Sequence, residues 1–285
     1  MIEVQILKNI SLDEELAANG YVVIPFLNRD EIIQLKNFFY RHHLQLPKGL
    51  YATAHVQDIE FRKKMNDFIS EIFQRANKEK FADIIQLGGT FMNKAHGKEG
   101  LLIPHQDWNI VDEEKFRSFN VWVPLVDTDE NNGGIQVLEK SHTILPGFRS
   151  VNTPSAFENI YDEVWKKMKT LKIPAGHALI YDHRLLHASR ENNSDSDRLV
   201  VVFGIIPQKA EMRYYYKCEN GVEEYACTPE FYLSGNPAEG PGNLIKLRDI
   251  KYPFPKINSE QLSAFYCDKK HNGLFNKFKE LLGVE

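Results

Sequence analysis

A histidine and an aspartate stand two residues apart in Pro104-His105-Gln106-Asp107-Trp108. On an extended segment residues i and i+2 project to the same side. His105 and Asp107 can therefore offer an imidazole nitrogen and a carboxylate oxygen to one point, while Gln106 faces away from them. That pair is two thirds of the two-histidine, one-carboxylate facial triad, which holds non-haem Fe(II) on one face and leaves the opposite face open. Alone the triplet is weak, because with ten histidines in the chain one His-x-Asp arises by chance in roughly every second such sequence. The chemistry requires a third ligand from elsewhere.

The informative candidate is His187, in Leu185-Leu186-His187-Ala188-Ser189. It lies far downstream, on the other side of a β-rich region, and a jelly roll can bring such distant strands face to face. Arg198 follows, opening the apolar run Leu199-Val200-Val201-Val202-Phe203. An arginine entering a buried strand needs an anionic partner, and its planar fork suits a carboxylate. The partner is either a bound carboxylate or an internal Asp or Glu. Ser189 points to the same side as His187 and can donate to a carboxylate that Arg198 neutralises. Other residues rank lower. His183 sits four before His187 and is not needed to complete a triad. His142 reads as structural, and His42 and His43 as partners of a helix C-terminus. Lys94, Asn109, Arg149, Arg184 and Arg213 are possible contacts for a charged substrate.

These residues need a scaffold. The pattern predicts helices over Ser11–Ala18, with Ser11 as N-cap and Glu14 completing a capping box, over Asp30–His43, and over Asp58–Phe81 with Phe61, Met65, Phe68, Ile69, Ile72 and Phe73 along one side. Tyr21–Phe26 reads as a strand. From Ile84 the chain turns to β-type segments, Ile84–Lys94, Phe119–Val126, Ile135–Leu138, His177–Tyr181 and Arg198–Ile206. Asn131-Asn132-Gly133-Gly134 is a strong turn signal. A helix is expected over Ser155–Thr170. After Pro207 the pattern weakens into Tyr214-Tyr215-Tyr216 and a Gly/Pro/Asn-rich passage, with short amphipathic segments near Ser259–Phe265 and Leu274–Leu282. The expected fold is mainly β with flanking helices. It counts as one domain over residues 1–285, with a helical buttress to about 83, a β core over about 84–207 and a covering segment over about 208–285.

Composition narrows the partners. A net charge of -4 without a basic stripe argues against nucleic acid. Cys218, Cys227 and Cys267 are widely spaced and contain no Cys-x-x-Cys, so neither a disulfide framework nor a zinc knuckle is expected. Met1–Gln5 has no signal-peptide character, and no stretch approaches the roughly 18 apolar residues of a membrane span. A soluble cytoplasmic protein is expected, its oligomeric state open.

Taken together, Thr90-Phe91-Met92-Asn93-Lys94, His105-Gln106-Asp107, Asn120-Val121-Trp122, Asn131–Leu138 through Ser141-His142, Leu185–Ser189 and Arg198 resemble, in order and approximate spacing, the phytanoyl-CoA dioxygenase family of Fe(II)- and 2-oxoglutarate-dependent oxygenases. The resemblance runs from about Thr90 to Phe203. It implies a double-stranded β-helix (jelly-roll, cupin-like) core, iron held by His105, Asp107 and His187, and the distal carboxylate of 2-oxoglutarate held by Arg198 and Ser189. Thr90, Gln106 and Trp122 fall where that family contacts or flanks the co-substrate; Trp122 reads equally well as a core aromatic. The implied reaction consumes O2 and 2-oxoglutarate, releases succinate and CO2, and hydroxylates an unactivated C–H bond of a small molecule. A carboxylate at Asp107 favours hydroxylation over halogenation; desaturation, cyclisation and epimerisation share the same hydrogen abstraction. Three other readings stay open. Zinc could use the same ligands for hydrolysis, although no His-Glu-x-x-His is present. The substrate could be a protein side chain, or the fold could bind a metabolite without turnover.

Overall fold

The computed structural model describes residues 5–97, 99–144 and 147–267. Its first helix, α1 (Ile10–Asn19), is capped by Asn9, whose side chain accepts from the Leu12 N–H, and ends at Gly20 in the left-handed conformation. Ser11 lies inside that helix rather than at its cap, because the extended backbone that a cap requires occurs at Asn9. After β1 (Tyr21–Pro25), α2 (Arg29–His42) begins with a capping box between Asn28 and Glu31. At its end the ring nitrogens of His42 and His43 bond the carbonyls of Phe38 and Phe39, each at 2.8 Å. β2 (Leu50–Ala52) leads to α3 (Ile59–Lys80), capped by Asp58, which buries Met65, Ile69, Phe73 and Ala76 at the expected helical spacing.

Eight strands then alternate between two layers. They are β3 (Ile84–Lys94), β4 (Leu102–His105), β5 (Phe119–Pro124), β6 (Ile135–Val137), β7 (Lys169–Thr170), β8 (His177–Asp182), β9 (His187–Ser189) and β10 (Arg198–Pro207). Hydrogen bonding orders them β1-β8-β5-β10-β3-β2 in one sheet and β4-β9-β6-β7 in the other. Four of the eight lie in each, and the chain changes sheet at almost every connection, as a double-stranded β-helix requires. β1 and β2 extend the larger sheet at its two edges.

Both faces of the larger sheet are covered. Leu199, Val201 and Phe203 of β10 join the apolar layer under α1–α3. Val200 and Val202 point the other way, into the space between the sheets, with Trp122, Tyr181, Ile135 and Leu185. This explains why β10 reads as one unbroken apolar run instead of an alternating one.

Two expectations are corrected here. The helix over Ser155–Thr170 shrinks to a 3-10 turn at Glu158–Ile160 followed by α4 (Tyr161–Lys167), because Lys169 and Thr170 are taken up as β7 by pairing with β6. The weak region after Pro207 contains a third antiparallel sheet of β11 (Arg213–Cys218), β12 (Gly221–Ala226) and β13 (Ile245–Lys251). All but one residue of β13 is exposed, so it lacks the alternation by which a half-buried strand is recognised. α5 (Pro229–Ser234) lies between β12 and β13, and α6 (Ser259–Cys267) occupies the first predicted amphipathic segment. The second, Leu274–Leu282, falls outside the described residues. No helix among the described residues is long and apolar enough to cross a membrane.

Candidate metal centre

β4 and β9 are neighbours in the smaller sheet, and their pairing sets His105 directly opposite His187. The two rings lie 4.2 Å apart, centroid to centroid. Each Nδ1 sits near the carbonyl two residues earlier, at 2.8 Å from Ile103 O and 3.0 Å from Leu185 O. A proton on each Nδ1 donates to that carbonyl, which leaves the lone pair on Nε2; that of His187 lies 3.5 Å from the Tyr181 hydroxyl. β4 ends at His105, and the next turn is fixed by the Asp107 N–H donating to His183 O at 2.8 Å. The Asp107 carboxylate accepts from Asn120 Nδ2 at 2.8 Å and lies 3.8 Å from His187 Nε2. One ligand atom from each of His105, Asp107 and His187 falls within 4.8 Å of the others. Burial and the neighbouring His105 push the His187 imidazole down to about 4, which keeps it neutral and available as a ligand. Burial raises the Asp107 carboxyl, but His187, His183, His105 and the Asn120 bond together outweigh it and hold it below the usual range.

Behind the ligands, several candidate substrate contacts already have partners. Arg149 donates Nε to Asp107 O at 2.8 Å and pairs with Glu113 at 2.6 Å. The Asn109 side chain accepts from the Arg149 N–H. Arg184 is locked onto Asp182 at 2.6 Å, and Gln106 Nε2 donates to Arg184 O at 2.6 Å. Arg213 is held between Glu211 and Glu224. Gln106 therefore anchors the triplet's backbone from the side away from the ligands. His183 is separated from His187 by the turn that closes with Leu185 N donating to Asp182 O. Its Nδ1 faces Ser118 Oγ and Trp108 O. His142 is buried against α1, with Nε2 3.1 Å from Ala17 O.

The opposite end of the inter-sheet space carries two buried cations. Arg198 on β10 pairs in register with Lys94 on β3, and they are 3% and 0% exposed. Lys94 Nζ donates to the Ser189 hydroxyl, to Ser189 O at 3.2 Å and to Arg190 O at 2.6 Å. Arg198 donates to Gly133 O, which also accepts from the Ser189 hydroxyl at 2.9 Å. Its guanidinium carbon lies 5.4 Å from the centroid of the Trp122 ring. Gly133 has φ +66, and a Cβ there would meet Arg190 O at 2.6 Å; the Asn-Asn-Gly-Gly turn thus delivers a carbonyl that no side-chain-bearing residue could place. Neither cation has a carboxylate within ion-pair distance among the described residues, and Arg198 Nε is buried without any partner. Burial, aided by Arg198, pushes Lys94 down to about 7, and burial pushes Arg198 down to about 10. Two buried basic groups with no carboxylate partner among the described residues fit an anionic ligand.

The structure brings Ser189, Trp122 and Lys94 together at this end. Thr90 lies four residues along β3, opposite Val202, with its hydroxyl 3.0 Å from both Thr53 Oγ1 and the Ala54 N–H. Asn120 was legible only as part of a motif. Its role as the donor to Asp107 needs the pairing of β5 with β8, which no local pattern announces. A cavity of about 550 Å³ opens at the Gly204 end of β10, lined by Thr90, Trp108, Asn120, His183 and residues of α5. A second, of about 270 Å³, reaches His105 from the side of Phe148, Arg149 and Tyr252.

A family model described as Phytanoyl-CoA dioxygenase matches residues 17–200. Phytanoyl-CoA dioxygenase domain-containing protein 1 of Danio rerio is 29% identical over 212 residues, covering 68% of this chain and 72% of that protein. Among solved structures, SnoK, a non-haem α-ketoglutarate-dependent carbocyclase from nogalamycin biosynthesis, superposes with a TM-score of 0.51 at 14% identity over 72% of this chain and 86% of its own. HygX from Streptomyces hygroscopicus, solved with nickel and 2-oxoglutarate bound, gives 0.50 at 13% identity over 70% and 88%. At these identities the likeness concerns the fold, a jelly roll with flanking helices.

Proposed function

Because the chain belongs to the phytanoyl-CoA dioxygenase family, and so to the 2-oxoglutarate-dependent non-haem iron oxygenases, we propose that His105, Asp107 and His187 hold its iron and that Arg198, Lys94 and Ser189 receive the distal carboxylate of 2-oxoglutarate. The observation that carries this is the pairing of sites along one barrel: three converging ligand atoms at one level and two buried cations without a carboxylate partner at the other. Iron bound there would supply activation of O2, the oxidant, which takes two electrons from 2-oxoglutarate as it becomes succinate and CO2 and two from the C–H bond that is hydroxylated. The protein's share is positioning. Ile103 O and Leu185 O fix the two imidazoles, Asn120 holds the Asp107 carboxylate, and Trp122 flanks the co-substrate beneath Arg198. Thr90 lies on the substrate side, and Gln106 anchors the ligand-bearing turn. We further propose that the chain acts as one catalytic unit on a small molecule, its β core carrying the site. The test is succinate formation by Fe(II)-loaded enzyme with a pool of small metabolites: stimulation by the pool and dependence on oxygen are expected, and oxygen-independent product or none refutes the reading.

The buried lysine makes the co-substrate site pH-sensitive. Free Lys94 is pushed down to about 7 from its ordinary 10.5, so above pH 7 it is mostly neutral. A carboxylate beside it restores the proton. Binding of 2-oxoglutarate near pH 8 is therefore expected to take up nearly one proton, and affinity to fall as pH rises from about 7 toward 10. Titration calorimetry in buffers of different ionisation enthalpy measures this uptake, and Lys94→Met abolishes it.

A further inference from the structure

The 550 Å³ cavity carries information about what it takes. Along β10 the inward positions run Arg198, Val200, Val202, Gly204, and Gly204 pairs with Asn120, the donor to Asp107. The co-substrate end and this cavity therefore meet the candidate metal site from opposite ends of the barrel. The walls are largely apolar, with Leu87, Ile110, Val202, Met212 and Leu233 among them, and no acidic residue among the described residues lines the cavity. Among the described residues Arg62, in the first turns of α3, is the sole Lys or Arg in that lining. Its NH1 and NH2 reach only the carbonyls of Gly235 and Ser234, both at 3.3 Å, the long limit of a hydrogen bond. Its Nε is buried with no partner, and no carboxylate lies within ion-pair distance among the described residues. Arg75, Arg149, Arg184 and Arg213, by contrast, are each met by a carboxylate.

We infer that the molecule oxidised here is a compact apolar acid, its body seated in this cavity, its single carboxylate received by Arg62 and its reacting carbon directed to the side of Asn120. The inference rests on the oxygenase reading above and adds the substrate class to it. The guanidinium edge carrying Nε donates to a carboxylate in fork geometry while NH1 keeps the carbonyl of Gly235, just past α5, so the same residue reads the substrate and tethers the segment that covers it. An apolar surround makes the charge-assisted pair stronger than at a surface. The volume lies in the range of one small ligand, roughly 300–1,000 Å³. One cation matches one anionic group, not the several phosphates of a coenzyme A thioester.

Anaerobic calorimetry on the iron- and 2-oxoglutarate-loaded full chain tests this, using branched and aromatic carboxylic acids of about eight to sixteen carbons and their methyl esters. Acids are expected to bind wild type roughly 10–100-fold more tightly than their esters, the worth of one charge-assisted pair. Arg62→Gln is expected to erase that difference by weakening the acids alone, and Arg62→Lys to restore part of it. If Arg62→Gln weakens acids and esters equally, Arg62 only tethers α5, and the inference is overturned. It is also overturned if esters or amines bind wild type better than acids, or if none of the acids binds. Wild type that takes up neither iron nor 2-oxoglutarate overturns the oxygenase reading and this inference together, whereas normal loading without acid preference overturns the inference alone.

Discussion

His187→Ala is expected to lose stoichiometric Fe(II) and, with it, all 2-oxoglutarate turnover. His187 contributes one of only two imidazoles, its ring is fixed by Leu185 O, and it stands directly across the strand pair from His105. Removing a group that merely supports a metal ligand costs about 10–100-fold in affinity; removing the ligand itself costs more. Anaerobic metal titration of wild type and variant, with circular dichroism to show that the variant folds, gives the comparison. The fold is expected to persist, because the His187 imidazole is neutral beside Asp107 and is not a member of the apolar layer between the sheets. Iron binding by the variant within a few-fold of wild type contradicts the assignment.

The second large effect is expected at Arg198, and it takes a different form. Arg198→Met leaves the three ligands untouched and removes a buried cation 5.4 Å from the Trp122 ring. Truncating one partner of a buried, hydrogen-bonded charge pair costs about 2–5 kcal/mol. KM for 2-oxoglutarate is therefore expected to rise by roughly 30-fold or more, while iron affinity stays near that of wild type. Arg198→Lys recovers little, since an ammonium cannot reproduce the fork and the site already holds Lys94. Equal losses in iron and co-substrate binding would point to a structural role instead.

The site was legible to different depths for physical reasons. His105 and Asp107 stand out because two-residue spacing is a strand property that survives in the sequence. His187, Ser189 and Arg198 stand out because they interrupt apolar runs where polar groups are costly. Lys94 was legible only as one of several basic residues that could meet a charged substrate; the β3–β10 register, a long-range pairing, shows it buried beside Arg198. Asn120 and Gly133 are similar cases, each given its role by a partner distant in sequence. The first three helices and the longer strands β3, β5, β8 and β10 followed their periodicities closely, whereas the short strands β4, β7 and β9 and the shortened α4 are set by pairing across the sheet. The sheet of β11–β13 did not, because an exposed strand such as Ile245–Lys251, whose aliphatic residues lose the two-residue period between Leu247 and Ile250, carries no buried face to read. The cap of α1 was misplaced because Asn9 and Ser11 are both good caps by type, and only backbone geometry chooses between them.

The most direct test of the central claim is anaerobic titration of 2-oxoglutarate into Fe(II)-loaded protein, followed by the visible charge-transfer absorption of the chelated metal. Wild type is predicted to develop the band at one equivalent, His187→Ala to give none, and Arg198→Met to give it only at much higher 2-oxoglutarate. A band of equal strength and midpoint in all three proteins, or its absence from iron-loaded wild type, would contradict the account.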